Sequence, residues 1–151
     1  MKILKLLPIP AIIFTTLYIF AMVFLKWGLE FDVNIILFSG GAMVGLILLD
    51  VFDVLFPEIT ISPRTIIGEV VFIVLSLFVI TSSGSIVGSG VVLSLFLRIL
   101  IEQVGEFITT KGISSWFTRA HLDPSPSIEQ VVLWGGVVLF IIETYIFYSV
   151  V

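Results

Sequence analysis

Two aspartates, Asp50 and Asp53, lie inside an otherwise apolar run, GGAMVGLILLDVFDVLF, which spans residues 40–56. A carboxylate is costly inside a membrane helix, so each of these acids needs either a partner or a functional role. The two aspartates are three residues apart and share one helix face. The long apolar region at residues 66–104 contains three more charged residues, two of them four residues apart on one helix face: Glu69, Arg98 and Glu102.

These five side chains allow two kinds of site. The first is a structural ion-pair network, in which Arg98 bridges Glu102, Asp50 and Asp53. The second follows from the excess of acid, because four carboxylates and one arginine leave about three negative charges at low dielectric, so that either some carry a proton or a cation lies among them. Oxygen ligands alone suit Mg²⁺, Ca²⁺ or Mn²⁺ rather than Zn²⁺. The candidate metal ligands are Asp50, Asp53, Glu69 and Glu102.

The composition predicts a membrane protein. Of 151 residues, 59% are hydrophobic and 12% are charged, and the mean hydropathy is +1.27. Lipid suits so much apolar surface better than water does, and one domain over residues 1–151 is expected. The formal charge of −4 comes with no basic patch, so we expect no nucleic-acid partner. The absence of cysteine excludes disulfides, thiolate zinc sites and a cysteine nucleophile.

The hydrophobic pattern predicts an all-α integral membrane bundle of five transmembrane helices and one short interfacial helix. Pro57 ends the second helix. The polar cluster at residues 81–85 divides a long apolar region into a hairpin of two helices, with a single kinked helix as the alternative. The predicted helices cover about 8–26, 34–56, 66–82, 88–106 and 128–150, and the interfacial segment covers about 112–122.

Two local patterns refine this arrangement. Gly41 and Gly45 form a small-xxx-small step, which either allows a close helix–helix approach or reflects ordinary membrane packing. Ser127, followed three residues later by Gln130, predicts the N-terminal cap of the last helix. Trp134 near one end of that helix, with tyrosines near the other, is typical of the aromatic belts at membrane interfaces.

The positive charges predict the orientation. With the N-terminus inside, the outer segments hold only Lys26, so the bias favours a cytoplasmic N-terminus and an outer C-terminus in an inner membrane. The five basic residues on the cytoplasmic side are then Lys2, Lys5, Arg64, Lys111 and Arg119.

Other polar residues have simpler interpretations. Glu143 falls in the opposite leaflet from the acidic cluster, where it could reach the outer water, pair with Lys26 or face a second subunit. His121 is expected on the surface of the interfacial segment. Serines at the hairpin are turn residues rather than nucleophiles, since no histidine is near: Ser82, Ser83 and Ser85.

The segments LLDVFDVLFP and ITSSGSIVGSGVVLSLFLRILIEQ resemble a group of small bacterial multi-pass membrane proteins related to the inner-membrane metal-dependent hydrolases. In that group the second helix looks like LLDxDH, a His-Ser pair opens the next span, and a later span carries His-x-x-x-Asp. Asp50 matches the first aspartate, Phe52 replaces the second, and Asp53 replaces the histidine. Glu69 falls near the His-Ser pair, and the last pair is replaced by Arg98 and Glu102.

The resemblance implies a site that has lost its histidine ligands. A zinc-type catalytic site needs imidazole or thiolate ligands and an open position, which this chain does not supply there. We therefore expect no catalytic residue. The leading hypothesis is a non-enzymatic membrane scaffold or accessory subunit, with a homo-oligomer or another membrane protein as partner. The alternatives are a protein that binds or transports divalent cations and a hydrolase relative that has lost its metal site.

Overall fold

The computed structural model describes residues 9–28, 30–55 and 62–150, and within these ranges every regular element is helical. The predicted all-α bundle is confirmed. The predicted helix ends at residues 8 and 56, the helix stop at Pro57, and the cytoplasmic charges Lys2 and Lys5 lie outside the described residues. The elements are α1 (Ile9–Trp27), α2 (Val33–Leu55), α3 (Ile66–Phe78), a π-helical turn (Val79–Ser83), α4 (Ile86–Thr110), α5 (Ser114–Thr118) and α6 (Pro126–Val150).

Four helical segments are long and apolar enough to cross a bilayer: Ile9–Trp27, Val33–Leu55, Ile66–Ser83 and Pro126–Val150. The sequence predicted five spans, and α4 is not among these four. Helix α4 has 25 residues and a long buried face that includes Arg98, so it is the central helix on which the others pack. The outward faces of α1 and α6 carry large exposed apolar side chains, among them Phe20, Phe24, Val131 and Ile141, which suits contact with lipid.

Helices α2 and α4 run parallel in close contact. The Gly41 backbone lies against Val87, and the Gly45 backbone lies against the Val91 carbonyl and Ser94, so the contacts advance together along both helices. A β-carbon at either glycine would collide with the backbone of α4. The small-xxx-small step therefore marks the principal helix contact of the bundle, and the C-terminal part of α2 lies beside the C-terminal half of α4.

Helices α3 and α4 form the hairpin, not a single kinked helix. Gly84 adopts a left-handed conformation with φ of 60°, and the Ser85 side chain caps α4 by accepting from the Gly88 N–H at 3.0 Å. Phe72 and Phe96 then meet edge to face with ring centroids 5.9 Å apart. The hairpin brings the start of α3 back to the end of α4.

The segment after α4 differs from the sequence prediction. The predicted interfacial helix is a single turn, and its apolar residues face the protein core: Ile113, Trp116, Phe117 and Ala120. Helix α6 begins at Pro126, so the predicted cap at Ser127 is wrong. The Ser125 carbonyl accepts the first N–H groups of that helix, and proline fits a first helical position because it lacks an N–H.

Candidate functional site

Five charged residues form one ion-pair network: Asp50, Asp53, Arg64, Arg98 and Glu102. Two aspartates come from the C-terminal part of α2, and Arg98 and Glu102 come from α4. Because α2 and α4 are parallel, their C-terminal parts meet at the same end of the bundle. Arg64 lies just before α3, where Thr65 caps that helix by accepting from the Gly68 N–H at 3.1 Å.

Arg98 is fully buried, with 0% of its side chain exposed. Its Nη2 donates to Asp50 Oδ1 at 2.8 Å, and its Nε donates to Glu102 Oε1 at 3.3 Å. The Nη1 group donates to the main-chain carbonyl of Leu46, one turn before Asp50 on α2. The Arg98 guanidinium thus joins α4 to both a side chain and the backbone of α2. These contacts compensate the positive charge of Arg98 inside the bundle.

Arg64 closes the network from the other side. Its Nε and Nη2 donate to the two carboxylate oxygens of Glu102 at 3.1 and 3.0 Å, a bidentate pair. The Nη2 group also reaches Asp50 Oδ1 at 3.2 Å, and Nη1 donates to Asp53 Oδ2. Burial alone would lower the pKa of Arg64. The nearby carboxylates of Glu102 and the two aspartates raise it by more, so the pKa of Arg64 lies above its ordinary value.

Arg64 was expected only as a positive charge of a cytoplasmic loop, and its role in the network was not predicted. Asp53, which was expected to pair with Arg98, pairs with Arg64 instead. One signal was available: Arg64 is the only basic residue between α2 and α3, and it follows Asp53 by 11 positions. The end of one membrane helix and the start of the next lie at the same face of the bilayer, so a cation just before α3 can reach acids in the last turns of α2.

Glu69, a predicted metal ligand and cluster member, does not join the network. It is buried on α3, with 1% exposed, and its Oε2 accepts from Gln103 Nε2 at 2.6 Å. Its Oε1 faces α6, where a β-carbon at Gly136 would lie 3.5 Å away. The start of α3 turns this carboxyl away from α2 and toward α6, so four acids do not converge on one pocket as the sequence predicted.

The charge balance of the network therefore changes. Three carboxylates face two guanidiniums, which leaves one negative charge instead of the three expected from sequence. Within residues 9–28, 30–55 and 62–150, no group of three or more Asp, Glu, His or Cys side chains has a metal-holding arrangement. One oxygen stands apart: Asp50 Oδ2 is buried without a hydrogen-bond partner in the described part of the chain.

An open cavity of about 230 Å³ lies beside the network. Arg64 and Glu102 form its inner wall, and their mutual pairing satisfies both groups. Glu106, also on this wall, accepts from the N–H of Ser115 at 3.0 Å and so fixes α5 to α4. The six residues that line the cavity are Arg64, Glu102, Glu106, Ser115, Trp116 and Arg119.

Glu143 does not occupy any of the three expected environments. Its side chain is 0% exposed inside the bundle, and Oε1 lies 2.7 Å from Ser76 Oγ on α3. The Lys26 ammonium instead donates to the Phe147 and Tyr148 carbonyls, both at 3.0 Å. The expectations of outer water, a Lys26 pair and a second subunit are therefore wrong, because α6 turns Glu143 inward and Lys26 stabilises the carbonyl end of that helix.

The remaining polar candidates have structural roles. Ser85 caps α4, and Ser83 donates to the Val79 carbonyl within the π-helical turn. His121 is exposed and adopts φ of 57° in the loop after α5. Comparison of the chain with protein-family models, curated proteins and solved structures gives no match. These comparisons do not test the resemblance to hydrolase relatives, which stays a prediction.

Proposed function

We propose that this protein is a non-enzymatic membrane scaffold or accessory subunit whose ion-pair network fixes the arrangement of three chain segments. The observation that carries the proposal is the placement of Arg98, which is wholly buried on α4 and donates to Asp50 and to the Leu46 carbonyl on α2. Arg64, which lies just before α3, pairs with Glu102 and Asp53 and so joins the start of α3 to α4 and α2. The charged groups of the network pair with one another, which supports a structural role.

The location follows from the same chain. The apolar outer faces of α1 and α6 suit a bilayer, and the predicted bias of positive charge favours an inner membrane with the N-terminus inside. The network then lies toward the cytoplasmic face. In this setting a rigid bundle with an apolar exterior would present its lipid-facing helices to a membrane-protein partner or to a second copy.

The accessory-subunit proposal is tested by extracting the tagged protein directly into lipid nanodiscs and weighing the intact particles by native mass spectrometry. We expect a fixed stoichiometry with another membrane protein or with a second copy. The Arg98→Met variant should lose that stoichiometry, whereas Arg119→Met, which removes an exposed arginine that forms no ion pair with the described residues, should retain it. A wild-type protein that is always a lone monomer would contradict the proposal.

A second candidate function is the binding or transport of a divalent cation. The observations that favour it are the residual negative charge of the network and the unpartnered, buried Asp50 Oδ2. A cation bound only to the native state would raise the melting temperature in proportion to the logarithm of its concentration. Mg²⁺ or Mn²⁺ should then stabilise the wild type and not Asp50→Asn. The scaffold proposal expects almost no shift with either ion.

A further inference from the structure

Three buried carboxyl groups in the described parts of the chain lie outside the ion-pair network. One of them, Glu129, is 8% exposed and accepts from the Ile113 N–H at 2.7 Å, and the other two are more deeply buried. Glu69 on α3 is 1% exposed and Glu143 on α6 is 0% exposed. Every ion pair recorded in residues 9–28, 30–55 and 62–150 belongs to the network, so neither glutamate has a cationic partner there. An ionised carboxylate buried without a cation is among the most costly groups a protein can contain, and taking up a proton removes that cost.

Two acceptors compete for the single hydroxyl hydrogen of Ser76 beside Glu143. Ser76 Oγ lies 2.9 Å from the Ile73 carbonyl and 2.7 Å from Glu143 Oε1. A serine hydroxyl has a single hydrogen, and the carbonyl can only accept. If Ser76 donates to Ile73, the short contact with Glu143 requires a hydrogen on the glutamate. The second oxygen, Oε2, is buried with no donor among the described residues, as suits the carbonyl oxygen of a neutral acid.

The contact between Glu69 and Gln103 leaves one acceptor open. The Gln103 amide donates to Glu69 Oε2 through Nε2 at 2.6 Å, while the amide's own Oε1 is buried without a hydrogen-bond partner in the described parts of the chain. An ionised glutamate has no hydrogen to offer that oxygen. A protonated one does, and a carboxylic acid and a primary amide can pair through two hydrogen bonds. One proton on Glu69 would therefore satisfy the acceptor that the present contacts leave open.

The two carboxyls occupy two levels of one helix seam. Glu69 lies beside Gly136, and Ser76, two turns further along α3, lies beside Glu143, two turns further along α6. The levels are therefore about 10 Å apart along parallel helices. Among the described residues, a titratable group near Glu143 is the Tyr18 hydroxyl of α1, which is hydrogen-bonded at 3.0 Å to Thr144, the residue after Glu143. The recorded polar partner of Glu69 is Gln103 of α4.

We propose that Glu69 and Glu143 are proton-binding sites, each holding one exchangeable proton at its own depth in the seam between α3 and α6. Glu143 donates its hydrogen to Ser76, which passes a hydrogen bond to the Ile73 carbonyl. Glu69 donates to the amide oxygen of Gln103. The bundle thus has two proton-binding sites that are separate from the ion-pair network. Proton binding at these sites does not depend on the scaffold role.

Infrared spectroscopy of the purified protein in lipid nanodiscs at neutral pH tests the proposal. The C=O stretch of a protonated carboxyl lies above the amide I band and shifts down in D₂O. We expect such bands in the wild type, the loss of one component in each of Glu69→Gln and Glu143→Gln, and the loss of both in the double variant. Glu30→Gln, at an exposed loop position, should leave the bands unchanged.

A wild type without these bands, or a double variant that retains them, would overturn the proposal. Ser76→Ala keeps both glutamates and covers the case in which a glutamine variant fails to fold. It should move the Glu143 component to higher frequency, because the acid loses its acceptor. If Glu143 is ionised or holds a metal cation instead, Ser76→Ala will produce no change in the carboxyl region, and that result would also refute the assignment.

Discussion

Arg98 Nη2 and Asp50 Oδ1 lie 2.8 Å apart, and this contact joins two helices that run in the same direction. The side chains are 0% and 4% exposed. Parallel helices cannot be joined by a tight turn, and here α3 occupies the connection between them. The pair therefore fixes the register of α2 against α4 at a point that no short loop controls.

Replacing Arg98 by methionine should strongly destabilise the bundle. Methionine fills similar volume but leaves Asp50 buried with Arg64 as its remaining cation, and breaking a buried pair in this way typically costs about 3–5 kcal/mol. Unfolding in mixed detergent micelles measures the loss. Arg119→Met is the matched control, since that arginine is exposed and forms no ion pair among the described residues. Equal stability of the two variants would contradict a structural role for Arg98.

The two aspartates should differ in their contribution to stability. Asp50 is buried and contacts both arginines, whereas Asp53 is 33% exposed and contacts Arg64. Asp50→Asn leaves the charge of Arg98 poorly compensated, so we expect the free energy of unfolding to fall by about 3 kcal/mol or more. Asn at residue 53 should cost about 0–1 kcal/mol, as exposed pairs do. Chemical unfolding of both variants checks the order, and an equal or reversed order would refute it.

Gly45 should tolerate no side chain, in contrast with Gly40 on the same helix. A β-carbon at Gly45 would collide with the Val91 carbonyl and Ser94 Oγ, while a β-carbon at Gly40 meets nothing within 4 Å. Gly45→Leu should therefore force α2 from α4 and cost at least about 1–3 kcal/mol. Gly40→Leu adds the same atoms on an exposed face and should be nearly neutral. The comparison needs only the melting temperatures of the two variants.

The orientation can be tested with single cysteines, because the natural chain has none. Glu30 and Asp123 are exposed in loops between helices. In intact cells a membrane-impermeant maleimide should label Glu30→Cys, whereas Asp123→Cys should react only after permeabilisation. The predicted bias of positive charge gives this expectation. Labelling of Asp123→Cys alone in intact cells would reverse the topology and put the network near the outer face.

The helix positions could be predicted from sequence because apolar runs and the polar cluster at residues 81–85 act locally. The network could be predicted only in part. Asp50, Arg98 and Glu102 were grouped by depth and helix face, but depth does not fix rotation. Rotation turned Glu69 toward Gln103 and Glu143 toward Ser76. The role of Arg64 was not predicted because a loop has no regular periodicity from which the direction of a side chain can be inferred.

The chain order of the network bears on how the protein can be made. Asp50 and Asp53 leave the ribosome first, and Arg64 follows Asp53 after 11 residues, whereas Arg98 follows Asp50 only after 48. The nearer arginine can neutralise the aspartates while α2 is still entering the bilayer, before α4 has been synthesised. Arg98 can pair with Asp50 only later, once α4 has been made. The spacing of the two arginines along the chain thus sets the order in which the contacts become possible during synthesis. The contact of Arg64 with the aspartates is available before the contact of Arg98 with Asp50.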